Sequence, residues 1–202
     1  MGVLNILEKD AIMKRKYVLL VSVLALLAAQ VSFAGSIKGK VSPGKSVVYL
    51  ESTAPVPVTT DKPVTMDQKG LSFQPHVMVI QLGTTVEFLN SDKVQHNVFW
   101  PSISGDKKKT HNMGTWPQGQ KKAFKFTDPG VVTLLCNVHP EMAGYIIVSP
   151  TPYFAETDAN GAFNIANVPD GQYTVNAWHE GKKLQSKKIT VTGDTSADFT
   201  LQ

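Results

Sequence analysis

Past residue 34 the chain has no stretch in which apolar residues recur every three or four positions. Short runs rich in β-branched and aromatic residues stand between turn residues instead. "SVVYLES" (46–52), "HVMVIQLG" (76–83), "TVEFLN" (85–90), "NVFW" (97–100), "KAFKFT" (122–127), "VVTLLC" (131–136) and "YIIV" (145–148) read as strands. Gly83-Thr84, Pro101-Ser102, Asp128-Pro129-Gly130 and Ser149-Pro150 break them. "THNMGTW" (110–116) reads as a polar turn, and 139–144 holds at most one turn of helix. After Pro150 the texture changes. Turn signals fall at Asp158–Gly161 and Pro169–Gly171, and strands fit at 162–166, 172–178, 186–191 and 196–201. The predicted fold class is all-β, built as sandwiches.

The first 34 residues follow another pattern. Lys14, Arg15 and Lys16 precede an apolar stretch from Tyr17 to Ala29, and Ser32-Phe33-Ala34 supplies small residues at a cleavage position. This is the layout of a secretory signal peptide, expected to be cut after Ala34, and the apolar stretch is too short for a comfortable membrane span. Export implies a periplasmic protein with no membrane span once the leader is gone. The formal net charge of +4 falls to +2 for residues 35–202, which contain no arginine. That composition argues against nucleic acid as a partner.

Export also bears on Cys136, the only cysteine. In an oxidising compartment thiols pair, and this one has no intramolecular partner, so a metal ligand explains it best. It lies in "CNVHPEM" (136–142), with His139 and Met142 at steps of three. Thiolate, imidazole and thioether together suit copper better than a hard cation. One further strong ligand must come from elsewhere. Of His76, His96, His111 and His179, the best placed is His96, between "TVEFLN" and "NVFW" at a strand–loop edge. Strands 86–90 and 131–136 lying side by side would bring it to Cys136. His76 reads as a strand-end residue, and His111 with Met113 as part of a polar turn rather than a second copper site. "DKKKTH" (106–111) reads as a solvated loop, and Phe99 and Trp100 divide between core and surface.

"VEFLNSDKVQHNV" followed by "CNVHPEM" resembles the cupredoxins, the small blue-copper electron carriers, and the C-x-x-H-x-x-M loop is most similar to the amicyanin type. "MDQKGLSFQPHVMVIQLGTTVEFLN" resembles the front half of plastocyanin-like domains. The arrangement also looks like a group of exported plastocyanin-like proteins labelled as methylamine-utilisation proteins. The resemblance covers about 62–149. It implies a Greek-key β-sandwich with His96, Cys136 and His139 as strong ligands of one type 1 copper, Met142 as the weak axial ligand, and Asn97 as a brace for the ligand loops. Glu141 departs from the pattern, standing where amicyanin-type loops carry an apolar residue.

The last quarter, with "TDANGAF" and "PDGQYTV", resembles the carboxypeptidase regulatory-like, transthyretin-like β-sandwich. That family's opening strands are missing from 151–202, and "GSIKGKVSPGKSVVYLES" (35–52) looks like them. The expected organisation is a signal peptide at 1–34, opening strands at 35–55 that complete the C-terminal sandwich, a cupredoxin domain at 56–150, and the regulatory-like sandwich at 151–202; the alternative is two domains in tandem, with 35–52 belonging to the first. No enzymatic activity is expected. The expected function is electron transfer with a periplasmic partner such as a c-type cytochrome or a quinoprotein dehydrogenase. The alternatives are copper storage or delivery, or a subunit of a copper enzyme.

Overall fold

The computed structural model describes residues 34–54, 56–57 and 62–202. The signal peptide therefore lies outside the described residues, apart from Ala34. In chain order the strands are β1 (Ala34–Ser42), β2 (Val47–Ser52), β3 (Val64–Gln68), β4 (Phe73–Gln74), β5 (Val77–Gln81), β6 (Thr85–Asn90), β7 (His96–Trp100), β8 (His111–Trp116) and β9 (Lys121–Lys125). They continue as β10 (Gly130–Leu135), β11 (Ala143–Ser149), β12 (Phe154–Glu156), β13 (Ala162–Pro169), β14 (Gly171–Trp178), β15 (Gln185–Val191), β16 (Thr195–Ser196) and β17 (Phe199–Thr200). Among the described residues a single 3-10 turn at Lys107–Lys109 interrupts them. The described fold is all-β.

Four sheets form two sandwiches. The first pairs the sheet β5-β11-β10-β7-β8 with the sheet β4-β3-β6-β9. Its core holds Met66, Phe73, Phe88, Trp100, Trp116, Leu134, Cys136, Met142 and Ile146. The second pairs β12-β2-β14-β15 with a sheet of β13, β1, β16 and β17, around Ile37, Leu50, Phe163, Val175 and Phe199. β1 runs antiparallel to β13, and β2 antiparallel to both β12 and β14. Strands from both ends of the described chain thus build the second sandwich, and β3 to β11 are inserted between its second and third strands.

Several sequence runs are continuously apolar because their strands are covered on both faces. In β11, Ile146 and Val148 point into the first core, while Tyr145 and Ile147 join a third cluster with Val77, Val79, Val131, Val47, Tyr49 and Trp178. The outer face of the β5-β11-β10 sheet therefore packs on the outer face of the β2-β14 sheet. The rings of Tyr145 and Trp178 meet at 5.1 Å. Across the same seam the Glu180 carboxylate contacts His76 Nε2 at 2.7 Å. That contact is the main reason the Glu180 carboxyl titrates below the usual carboxylate range.

Two expectations are corrected, at β8 and at the neighbour of β10. Residues 111–116 are strand β8, paired with β7, because Trp116 is buried and anchors the run. Residues 139–144 hold a single turn at Pro140-Glu141 and nothing longer, and the Met142 N–H donates to the His139 carbonyl at 3.0 Å. Strands β6 and β10 lie in opposite sheets, so it is β7 that neighbours β10. The short β3, β4 and β12 carry no strong sequence signal, and the strand expected at 196–201 is instead two short strands of two residues each, β16 and β17.

The doubly covered sheet should make the two sandwiches one unfolding unit. Ile147→Ala, at a fully buried seam position, is expected to cost about 2–4 kcal/mol and to lower a single urea transition. Two resolved transitions in the unsubstituted protein would contradict this.

Candidate metal centre

Two strand ends and one loop converge at one edge of the first sandwich. β7 starts at His96, which is fully buried. β10 ends at Leu135, and Cys136 follows, 3 % exposed. Leu135 pairs with Phe99, which sets the two strands side by side. The loop 137–142 then carries His139 back over the edge, half-buried. His96 Nδ1 and His139 Nδ1 lie 3.1 Å apart, and His139 Nδ1 is 4.0 Å from Cys136 Sγ. The three donor atoms all lie within 4.8 Å of one another, the only such cluster among the described residues.

This donor set fits a single soft-to-borderline metal ion. Metal–nitrogen bonds of about 2.0–2.1 Å and a metal–sulfur bond of about 2.3 Å sum to roughly 4.4 Å for a sulfur–nitrogen pair, so the 4.0 Å separation admits a shared ion. The 3.1 Å nitrogen pair is within the same reach. One thiol and two imidazoles select a soft transition metal over magnesium or calcium. Met142 is buried in the same core cluster as Cys136, whereas Glu141 is exposed. The thioether thus faces inward where the neighbouring carboxylate does not.

Asn97 supplies the brace. Its backbone N–H donates to Cys136 Sγ at 3.4 Å, and its Oδ1 accepts from the Asn137 N–H at 3.2 Å. Its Nδ2 donates to Asn112 Oδ1 (2.9 Å) and to the Gly114 carbonyl (2.8 Å). One buried amide therefore ties β7, the ligand loop and β8 together. Hydrogen bonds to the cysteine sulfur and to the ligand loop fix the donor before any ion arrives.

Asp92 has no counterpart in the sequence reading. Its Oδ2 lies 2.9 Å from His96 Nε2. The Gly70 N–H donates to Oδ1 at 2.8 Å and the Leu71 N–H to Oδ2 at 3.0 Å. These contacts hold the carboxyl below its ordinary range, Leu71 contributing most, with burial opposing. An ionised carboxylate at Nε2 requires the proton there, which leaves the Nδ1 lone pair facing the site. The signal in the sequence was the spacing of Asp92 and His96, four apart across a tight loop.

The other histidines stand elsewhere. His76 contacts Glu180. His111 lies against Trp100 (5.0 Å between ring centres) and Phe124 (4.6 Å). His179 Nδ1 is 2.6 Å from the Glu180 carbonyl. Trp100 is core and Phe99 only partly covered.

Residues 60–149 match the family model described as copper binding proteins, plastocyanin/azurin family, and residues 145–202 match the carboxypeptidase regulatory-like domain. Among solved structures, the chain is 31 % identical to a copper-containing nitrite reductase from Thermus scotoductus SA-01, with a TM-score of 0.40, over 47 % of this chain and 25 % of that one. The chain thus spans about a quarter of that reductase. A Cu(I) form of an amicyanin variant is 19 % identical over 50 % of this chain and 99 % of that one, with a TM-score of 0.41. An oxidised amicyanin variant gives 19 %, 52 %, 99 % and 0.41. Residues 60–149 therefore carry a match to a cupredoxin-type copper-binding domain of the plastocyanin/azurin kind, followed by a match to a carboxypeptidase regulatory-like domain.

Proposed function

We propose that the protein is an exported, single-copper electron carrier. Copper held by His96, Cys136 and His139, with Met142 as the weak fourth ligand, would supply one-electron redox chemistry. The observation that carries this reading is the prearranged donor set on a sheet covered on both faces. The protein's part is to hold its donors still. Asn97 fixes the sulfur and the loop, Asp92 fixes the His96 ring, and both strands sit in packed cores. A site that need not rearrange exchanges an electron with a small barrier.

His139 is the ligand nearest solvent, since His96 and Cys136 are buried. Three of the four most exposed large apolar residues, Leu71 (44 %), Val94 (45 %) and Val138 (45 %), belong to the segments that meet at the site. Leu71 shares Asp92 with His96, Val94 lies two positions before His96, and Val138 precedes His139. Exposed apolar residues in the segments that carry a half-buried ligand suit brief encounters with a redox partner. The partner class we propose is a periplasmic c-type cytochrome or quinoprotein dehydrogenase.

The histidine placement supports one copper per chain, because among the described residues His76, His111 and His179 lie outside the three-donor cluster. Storage or delivery is the less supported reading, since buried donors braced by Asn97 and Asp92 do not favour release. A role in a copper enzyme would require a further copper at a subunit interface.

The copper-loaded, oxidised protein is expected to bind one copper per chain and to show an intense visible thiolate-to-copper absorption, lost in Cys136→Ser. A colourless loaded protein refutes the electron-carrier reading, and a stoichiometry above one favours the enzyme subunit. Asn97→Ala is expected to reduce copper affinity about 10–100-fold, measured by competition with a chelator of known affinity. Export predicts that the mature protein recovered from a periplasmic fraction begins at Gly35, read by N-terminal sequencing.

A further inference from the structure

The turn between β3 and β4 reaches further than a simple hairpin connection. The Lys69 N–H donates to the Ser72 carbonyl at 3.0 Å and closes it. Gly70 (φ +65°) and Leu71 (φ +54°) both lie in the left-handed region, the backbone pattern of a two-residue hairpin loop. Glycine accepts that conformation without penalty, whereas leucine is strained in it. Leu71 is also an exposed apolar residue. The position is therefore disfavoured twice, and strain of this kind persists where surrounding contacts over-determine it.

Those contacts lead to the metal centre. The Gly70 and Leu71 N–H groups donate to the two carboxylate oxygens of Asp92, and the oxygen that Leu71 reaches is the one facing His96 Nε2. Two amides thus orient one carboxylate, and that carboxylate orients one imidazole. The hairpin also touches the other half of the site. Phe73, buried in the first core, closes on Gly144, where an added Cβ would come within 2.8 Å of the Phe73 Cβ. Gly144 lies two residues after Met142, so the close approach fixes the strand that receives the ligand loop.

We propose that the Gly70–Leu71 turn is a positioning element for His96, acting through Asp92 to set the tautomer and orientation of the imidazole. Leu71 is at once the tip of this turn and an exposed apolar residue. A redox partner seated on Leu71 would bear on the hydrogen bond that holds the ligand. That last consequence rests on the function proposed above; the positioning role does not.

The test reads the His96 ring N–H by nitrogen-15 NMR in the metal-free chain. The unsubstituted protein should show the Nε2–H tautomer with slow proton exchange. Gly70→Val puts a β-branched residue into a left-handed backbone where nothing lies within 4 Å of an added Cβ, so it strains the turn without striking a neighbour. Asp92→Asn removes the carboxylate charge. Each should speed exchange of the His96 ring proton several-fold. The double variant should exchange no faster than Asp92→Asn alone, because the turn acts only through Asp92. The Trp100 indole N–H, bonded to the Lys109 carbonyl at 3.1 Å, should stay unchanged and guards against general loosening. Unaltered His96 exchange in Gly70→Val, additive effects in the double variant, or equal acceleration of His96 and Trp100 would each overturn the proposal. No copper and no partner enter the measurement, so its failure is distinct from failure of the electron-carrier reading.

Discussion

The metal centre depends on a short contact between two strands that β-ladder geometry alone would leave weak. β7 and β10 share one ladder pair, Leu135 with Phe99. On the site side of that pair the Asn97 backbone and side chain take over, reaching Cys136 Sγ and the Asn137 N–H. A buried side-chain amide here does what further backbone pairing would do, but it leaves room for a thiol and two imidazoles at the edge. The arrangement is sensitive because Asn97 is almost wholly buried. Any change that removes its acceptors or donors strands partners away from water, and a buried polar group without a partner costs about 1–3 kcal/mol.

The second sandwich matters to this centre through the sheet that both share. β11 leaves the ligand loop and immediately enters two cores at once, with Ile146 and Val148 on one side and Tyr145 and Ile147 on the other. A strand packed on both faces cannot shift without disturbing two hydrophobic clusters, since interiors are close-packed and resist partial displacement. The C-terminal domain is thus a back-plate to the ligand-bearing sheet. His76 and Glu180 add a polar clasp at one edge of the same seam.

Much of this was legible in the residues. The apolar runs at 76–83, 131–136 and 145–148 marked strands, and their lack of alternation is what burial on both faces produces. The lone Cys136 with His139 and Met142 at fixed steps marked the ligand loop, and His96 followed from its place between two strands. What escaped has physical reasons too. β8 hid behind the polar residues of "THNMG", because its pairing is dictated by β7 and by the burial of Trp116 rather than by its own composition. The choice of neighbour for β10 was invisible because sandwich strands adjacent in sequence often lie in opposite sheets. Asp92 was missed because a carboxylate in a polar loop looks solvated; only the fold brings the Gly70 and Leu71 amides to it.

The bracing of the three strong-ligand candidates is unequal, and the inequality has a direction. Cys136 is held by an N–H donor and by its place in the core. His96 is held by a carboxylate that two backbone amides hold in turn. His139 has no carboxylate partner among the described residues; the turn between its carbonyl and the Met142 N–H is what places it. It is also the only one of the three that reaches toward solvent. In the electron-carrier reading proposed above, the ligand at the surface is the route for the electron, and a second layer of protein over it would close that route. The bracing is therefore concentrated on the two buried donors, and the third is left open toward solvent.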